Sequence, residues 1–272
     1  MQGLRGRDDA RYIDCSDIPG TDCYCDDEAV EAIRRRIADA GITDARGIHF
    51  FDNGNYHYMS KIWTDMVQEP FSLVVFDHHP DMQEPRFGNI LSCGGWVKKV
   101  LEENKFIDNV VIIGVADHLV DEIRTELSQA GDASVLDKVT FIRESELNQI
   151  PGQARNDAIA NTVQSSWRPW SRHLEPASLY ISIDKDALSP TYAATNWDQG
   201  SLDIATLKEI IARLATSHEI IGVDICGERA RDFAGDEYHT VQEADTLNSE
   251  LNRELAEFLT SLASSPTQFP AC

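Results

Sequence analysis

Two short runs of acidic and imidazole side chains constrain this chain more than any other feature. The first is Asp77-x-His79-x-Asp81, which follows the apolar segment 71–76, and the second is Asp184-x-Asp186, which follows 179–183. In a β-strand the side chains of residues i and i+2 share one face, about 6.6 Å apart. Each run therefore directs its charged groups to one side. Such crowding of buried charge is unfavourable unless cations lie between the groups, so the runs predict a metal site and favour two ions.

The segments around these runs alternate between two patterns. Short stretches rich in Val and Ile predict strands at 12–13, 48–51, 73–76, 110–115, 139–142, 179–183 and 220–225. Segments with helical spacing predict helices from Asp26 to about Gly41 and at 96–103, 119–129, 203–214 and 243–262. Strands that are apolar throughout and alternate with helices are typical of a mainly parallel sheet covered on both faces. We therefore expect one α/β domain spanning residues 1–272, with a long surface connection at 152–176.

In such folds the chemistry lies beyond the carboxyl ends of the strands. Both acidic runs are in that position, and so are the segments 53–57, 117–118 and 226–228. The agreement between strand order and the placement of polar groups predicts one site on one edge of the sheet.

Composition and charge exclude several classes of partner. The chain has 272 residues, with 46 acidic and 24 basic side chains and a formal net charge of −22. Nucleic-acid binding needs clustered Lys and Arg, so we expect none. We also expect no membrane span, because no apolar run is long enough. The polar first residues do not resemble a signal peptide, which favours the cytoplasm.

The cysteines do not indicate a second metal site. Six cysteines in a chain of this length do not make a disulfide scaffold. Cys23-x-Cys25, with Cys15 nearby, lacks the second pair or the histidines that a zinc site uses. We interpret these residues as loop thiols.

A ligand set rich in carboxylates favours manganese over zinc, which prefers Cys and His. A water shared by two such ions becomes a hydroxide near neutral pH and can attack a trigonal carbon or phosphorus. The motifs thus predict two Mn²⁺ ions per chain and a hydrolytic reaction.

Three segments together resemble the ureohydrolase superfamily of arginase, agmatinase and formimidoylglutamase. They read Gly-Asn-Tyr-His at 54–57, Asp-His-His-Pro-Asp at 77–81 and Ser-Ile-Asp-Lys-Asp-Ala-Leu-Ser-Pro at 182–190. The resemblance implies a three-layer αβα sandwich around a mainly parallel sheet of about eight strands. It also implies hydrolysis of a carbon–nitrogen bond in a small linear guanidino or amidino compound, cationic or neutral, by an enzyme that is often a homo-oligomer.

The same resemblance implies a role for each ligand. One manganese would be held by His57, Asp77, Asp81 and Asp184, and the other by His79, Asp77, Asp184 and Asp186. Asp77 and Asp184 would bridge the ions. Asp81 would also orient the bridging hydroxide, which would attack the central carbon of the substrate.

This sequence departs from the family pattern at the positions that bind the substrate or donate a proton to it. The family ends its last core strand in Asp-x-x-Glu, whose Glu holds the substrate guanidinium, but here Gly227 stands at that position and Glu228 follows it. Either a local bulge brings Glu228 into the pocket, or it is a surface acid. The region 88–95 has no proton-shuttling His. Cys93 and His118 are the candidates for the acid, against simpler interpretations as a helix-packing residue and a loop histidine. The usual Gly-rich loop is replaced by 195–200.

Three alternatives stay open from the sequence. Asp-His-His at 77–79 also resembles the DHH phosphoesterases, although the upstream acidic loop of that family is missing from 51–60. An amidohydrolase barrel would need a His-x-His motif after its first strand, and none exists here. A metal-binding relative without catalytic activity is consistent with the altered substrate positions.

Overall fold

A six-stranded sheet, in which all neighbouring strands run parallel, forms the centre of the fold. The computed structural model describes residues 4, 10–86, 88–148, 174 and 177–263. Along the chain the strands are β1 Tyr24–Cys25, β2 Ile48–Phe50, β3 Phe71–Phe76, β4 Leu91–Ser92, β5 Ile107–Val115, β6 Val139–Arg143, β7 Ser178–Asp184 and β8 Glu219–Cys226. The order in the central sheet is β2-β8-β7-β3-β5-β6, and β1 pairs with β4 in a separate antiparallel ladder.

Helices cover both faces of the sheet. They are α1 Asp27–Asp39, α2 Met59–Thr64, α3 Trp96–Glu103, α4 Asp117–Ala130, α5 Glu144–Asn148, α6 Ile204–Ser217 and α7 Val241–Ala263. Side chains of α1 to α4 belong to one buried cluster, and side chains of α6 and α7 belong to the other. The result is the three-layer α/β sandwich that the sequence resemblance implies.

Strand β3 shows how one stretch of sequence serves both layers. Successive side chains of a strand point to opposite faces. Leu73 and Val75 pack in the cluster beneath α1 to α4, whereas Val74 and Phe76 pack in the cluster beneath α6 and α7. All four are fully buried. A strand covered on both faces is apolar at most positions, with the buried Ser72 as the exception here, so no regular alternation of polar residues marks it in the sequence.

Two of the helices that flank the sheet, α1 and α6, begin at side-chain caps. The Asp26 carboxylate accepts a hydrogen bond from the backbone of Ala29, and Asp203 does the same for Ala205 at the start of α6. Each cap satisfies a backbone N–H that the first turn leaves without a partner. Within α1 the residues Ala29, Ile33 and Ile37 are buried at helical spacing, as predicted.

The central sheet has six strands among the described residues, slightly below the expected number of about eight and consistent with it. The structure corrects one expectation about strands. Residues 12–13 do not form a strand, and Tyr12 is about half exposed, so two apolar residues at this position do not reach the sheet. The surface connection expected at 152–176 lies outside the described residues, except for Leu174. No helix in the described part of the chain has the length and apolar character needed to cross a membrane.

Replacing Leu73 with Ala should lower the free energy of unfolding by about 2–5 kcal/mol, because it leaves a cavity in a fully buried strand. The exposed Glu126 of α4 provides the control, and E126A should change stability by less than about 0.5 kcal/mol. Urea unfolding followed by circular dichroism measures both. Equal effects of the two substitutions would contradict the assignment of β3 to the core.

Candidate metal centre

The candidate site lies at the carboxyl ends of three adjacent strands, β3, β7 and β8. Asp77 directly follows β3, and its backbone N–H continues the ladder to Ile113 of β5. Asp184 is the last residue of β7 and pairs in register with Cys226, the last residue of β8. His57 follows a 3₁₀ turn, 54–56, which lies after β2. The sheet order therefore brings together groups that are more than 100 residues apart in the chain.

The six side chains that the sequence pattern predicted as ligands converge in this place. His57, Asp77 and Asp81 form one group, and Asp77, His79 and Asp186 form a second, with the ligand atoms of each group within 4.8 Å of one another. A third group joins His57 and Asp184 with Cys226. Asp77 belongs to both of the first two groups, so the cluster has two lobes with a carboxylate between them.

The imidazoles lie between the carboxylates. His57 Nδ1 is 2.9 Å from Asp81 Oδ2, 3.1 Å from Asp77 Oδ2 and 3.5 Å from Asp184 Oδ2. His79 Nδ1 is 3.0 Å from Asp186 Oδ2 and 3.4 Å from Asp77 Oδ1.

Burial and mutual repulsion change the protonation of this cluster. Burial and the charge of Asp186 raise the pKa of Asp184 to about 7, and burial raises the pKa of Asp186 as well. Burial lowers the pKa of His57, but hydrogen bonds to Asp77 and Asp81 outweigh it and raise that pKa well above its usual value. In the absence of cations, protons therefore supply the positive charge that the carboxylates require.

A hydrogen-bonded chain fixes the ring of His57 from behind. Ser182 Oγ donates to Asp224 Oδ1 at 2.6 Å, so its oxygen accepts from His57 Nε2, 2.9 Å away. Ser60 Oγ also donates to Asp224 Oδ1, at 3.0 Å. With the Nε2 atom protonated, Nδ1 is the atom of the ring that can bind a cation, and it is the atom that faces the carboxylates. Outer partners of this kind orient metal-ligating histidines in general.

The donor set fits two divalent cations. Four carboxylates, those of Asp77, Asp81, Asp184 and Asp186, carry four negative charges, which two divalent ions balance. The Oδ2 atom of Asp77 is buried without a hydrogen bond of regular geometry from the described residues, and it faces His57 Nδ1 at 3.1 Å, so a cation between the two atoms would have a ligand on either side. Carboxylate and imidazole ligands without an ionised thiolate suit Mn²⁺.

Asp81 is positioned by its own backbone and by Trp96. It has φ of +48°, one of two non-glycine residues in the described chain with a left-handed backbone, and such strain often marks a functional position. Trp96 Nε1 donates to Asp81 Oδ2 at 2.7 Å, and the Asp81 carbonyl accepts from Val97 N at 3.0 Å. The Trp96 ring also packs against His57, with ring centroids 4.9 Å apart.

Glu228 is buried rather than on the surface, and it is engaged inside the protein. Its Oε1 atom accepts from Lys185 Nζ at 2.7 Å and from Asn252 Nδ2 at 2.7 Å. Lys185 Nζ also donates to Asn252 Oδ1 at 3.1 Å. Lys185 has no exposed surface, and only 2% of Glu228 is exposed. A cation of the chain itself therefore occupies the position beside this carboxylate.

Gly227 explains why no glutamate stands at the position expected from the family pattern. Its φ is +91°, a conformation that side chains other than glycine rarely adopt. A Cβ at this position would lie 2.4 Å from Asp184 Oδ1 and 2.6 Å from the Lys185 backbone nitrogen. The backbone of residue 227 therefore lies directly against a carboxylate of the cluster, with no room for a side chain.

The two candidate proton donors lie in different surroundings. Cys93 is buried in the 3₁₀ turn that precedes α3, and burial together with the Asp81 charge raises the pKa of its thiol. His118 is exposed in the first turn of α4. Among the described residues we find no hydrogen bond from His118 to the cluster. The catalytic roles of both residues stay predictions.

The sequence pointed to segments 53–57 and 195–200 but did not indicate how their side chains meet at the mouth of the site. Trp197 is 41% exposed, its ring lies edge-on to His79 at 5.7 Å between centroids, and its Nε1 donates to Asn55 Oδ1 at 3.0 Å. Gly54 permits this arrangement, because a Cβ there would lie 2.6 Å from Trp197 Cδ1. Asn196 also donates to Asn55 Oδ1. The asparagines of the two loops offered a weak signal, since side-chain amides often join loops at strand ends.

Cys226 is a further group that the predicted ligand set did not include. Its thiol donates to Asp184 Oδ2 at 3.1 Å, and it is fully buried. Burial and the charge of Asp184 raise the pKa of this thiol, which keeps it protonated beside the carboxylates.

Most of the chain matches a known protein family. The model of the Arginase family matches residues 4–228. An uncharacterized protein of Thermotoga maritima is 26% identical over 182 residues, which are 67% of this chain and 58% of the relative. The chain therefore matches less than two thirds of the length of that relative.

Solved structures share the fold at low sequence identity. The agmatine ureohydrolase of Thermoplasma volcanium superposes with a TM-score of 0.56 and 17% identity, over 87% of this chain and 68% of that chain. The proclavaminate amidino hydrolase of Streptomyces clavuligerus gives a TM-score of 0.57 and 18% identity, over 87% and 70% of the two chains. The Trypanosoma cruzi formiminoglutamase with Mn²⁺ gives a TM-score of 0.57 and 12% identity, over 88% of this chain and 71% of that chain. These similarities support a common fold.

Replacing Lys185 with Met should lower the free energy of unfolding by about 3–5 kcal/mol, because it leaves the Glu228 charge buried without its partner. Adding E228Q removes that charge, so the double variant should be more stable than K185M alone. Urea unfolding of the wild type, the two single variants and the double variant measures the coupling energy. Additive effects would contradict a direct ion pair.

Proposed function

This chain belongs to the arginase family, and on that basis we propose that it uses two divalent metal ions to hydrolyse a carbon–nitrogen bond in a small guanidino or amidino compound. The observation that carries the proposal is the convergence of five ligand-type side chains into two lobes that share Asp77, with Asp184 joined to His57 in a third group. The DHH alternative gains no support from the comparisons. We propose Mn²⁺ because of the carboxylate-rich donor set, and a formiminoglutamase of the same fold was solved with that ion.

The proposed ligand roles follow the two lobes. His57, Asp77, Asp81 and Asp184 would hold one ion, and Asp77, His79, Asp184 and Asp186 the other. Asp77 is the shared member of the two lobes in the structure, which supports a bridging role. The Oδ2 atom of Asp184 lies 3.5 Å from His57 Nδ1, and its Oδ1 atom accepts from the backbone N–H of Asp186, so this carboxylate also connects the lobes.

When bound, two divalent cations supply Lewis-acid chemistry that makes water a nucleophile near neutral pH. The chain would orient that reaction through Asp81. Trp96 fixes the Oδ2 atom of Asp81, which leaves Oδ1 as the atom that we propose to accept a proton from the attacking water. His57 would keep its orientation through Ser182 and Asp224. Cys93 and His118 are the proposed candidates for the acid that protonates the departing amine.

The residues near the expected substrate position support a more specific proposal about how the substrate is bound. Gly227 offers no carboxylate, and Lys185 already neutralises Glu228. A substrate guanidinium would therefore lack the strand-end acid that the family pattern supplies. We propose that the substrate is a small amidine, neutral or cationic, that is held mainly by groups at the mouth of the site, such as Trp197 and Asn55.

Replacing Asp77 or Asp184 with Ala should remove both metal binding and activity, because each carboxylate contributes to both proposed ion sites. D137A removes an exposed carboxylate elsewhere in the chain and serves as the control. Inductively coupled plasma mass spectrometry of protein purified with Mn²⁺ counts the ions. Two ions per chain retained in D77A or D184A would exclude the bridging roles.

Replacing Ser182 with Ala should weaken Mn²⁺ binding by about 10–100-fold, because it removes the group that orients His57. Isothermal titration calorimetry measures the affinity. T125A provides the control, because Thr125 bonds only to the backbone within α4. An unchanged affinity in S182A would show that metal binding by His57 does not depend on its hydrogen bond to Ser182.

The substrate class is tested by product release from guanidino compounds and formimino compounds, with a phosphodiester and an acetyl-lysine peptide as controls. We expect urea, ammonia or formamide from at least one compound of the first two classes, and loss of that product in D77A. Turnover of the phosphodiester alone would favour the DHH alternative. Tight Mn²⁺ binding without any turnover would favour a metal-binding protein without catalytic activity.

A further inference from the structure

Two cysteines face each other across the short antiparallel ladder of β1 and β4. The register pairs Tyr24 with Ser92 and Cys25 with Leu91. Extending it by one position places Cys23 opposite Cys93, and the Cys93 N–H donates to the Cys23 carbonyl at 2.9 Å. Directly opposed residues of an antiparallel pair have Cβ atoms about 4.5–5.5 Å apart. That separation is near the range of about 3.5–4.5 Å found across a disulfide.

The two thiols lie near enough for each to influence the pKa of the other, while burial raises the pKa of both. Both cysteines are free. Cys23 has a left-handed backbone, with φ of +59°, at the point where the ladder ends. Cys23 is half-buried, whereas only 8% of Cys93 is exposed. Cys23 is therefore the more accessible of the two residues to a small reagent.

We propose that Cys23 and Cys93 form a site of reversible oxidation by low-molecular-weight disulfides such as glutathione disulfide. The Cys23 thiolate attacks one sulfur of the reagent, which gives a mixed disulfide and releases one glutathione thiol. The Cys93 thiolate then attacks the Cys23 sulfur and expels the second glutathione thiol. The two protein thiols lose two electrons and two protons, and the reagent gains both. This proposal does not depend on the identity of the metal or the substrate.

The location of the pair gives the oxidation a structural consequence. Cys93 begins the turn 93–95, which leads directly into Trp96, the residue that holds Asp81. The Gly94 carbonyl of this turn accepts from the Gln83 N–H at 2.8 Å. A bond from Cys23 would therefore tie the segment before α1 to the wall of the candidate metal centre. It would also close a covalent loop and constrain the unfolded chain.

The test is oxidation of the folded wild-type chain with glutathione disulfide, followed by quenching with acid and non-reducing peptide mass spectrometry. The sequence predicts a tryptic peptide 12–34, with Cys15, Cys23 and Cys25, and a second peptide 87–98, with Cys93. We expect these two peptides to become cross-linked, with fragmentation placing the bond at Cys23. Of the six thiols of the chain, two should be lost, and dithiothreitol should restore both. The midpoint of urea unfolding should rise on oxidation and return on reduction.

Matched variants separate this pair from its neighbours. C23S and C93S should each abolish the cross-link and the shift in midpoint, whereas C15S, which removes another half-buried thiol of the same segment, should retain both. Circular dichroism establishes that each variant is folded. The proposal would be overturned by a stable glutathione adduct on Cys23 without a cross-link, by a cross-link that persists in C23S, or by a wild-type chain that keeps all its thiols.

Discussion

The structure depends on positive charge among four buried carboxylates at the end of a parallel sheet. Asp77, Asp184 and Asp186 are each no more than 2% exposed, and Asp81 is 7% exposed. Charges of one sign at such separations are tolerated only when protons or cations lie between them. The pKa values of Asp184 and His57 are raised for this reason, so both groups hold protons more strongly than usual. Metal ions would meet the same demand and displace the protons, so occupancy of the site and the charge of the cluster are linked.

The rest of the fold keeps this cluster rigid. The strands that carry it are covered on both faces, so they cannot shift to separate the acids. The polar groups behind the cluster are equally buried: Asp224 and Ser182 hold His57, and Trp96 holds Asp81. Burial raises the pKa of Asp224 to about 6, so this carboxyl depends on the hydroxyls of Ser182 and Ser60 to remain ionised. These buried hydrogen bonds hold the cluster in place, and the loss of one hydroxyl would leave the Asp224 carboxylate with fewer donors.

The sequence predicted most of the sheet and the convergence of the ligands, because both depend on local patterns. Apolar runs that end in acids indicate strand ends, and parallel connections bring strand ends to one edge. The two-residue strands β1 and β4 were not predicted, since a pairing that short has no periodicity to detect. The partner of Glu228 was not predicted either. Lys185 lies between two ligand positions, and nothing in a single sequence tells whether a lysine there is solvated or buried.

The pairing of Lys185 with Glu228 follows from one displacement in the last core strand. The backbone of Gly227 lies against Asp184, so the acid moves one residue further along the chain. Gly227 has a left-handed backbone, and Lys185 begins a 3₁₀ turn that the Asp184 side chain caps, so the chain leaves the strand direction at both places. Glu228 and Lys185 meet in the interior, 2.7 Å apart, where each neutralises the other. Because position 227 has no room for a side chain and Glu228 is already paired, neither position offers an unpaired carboxylate to a substrate.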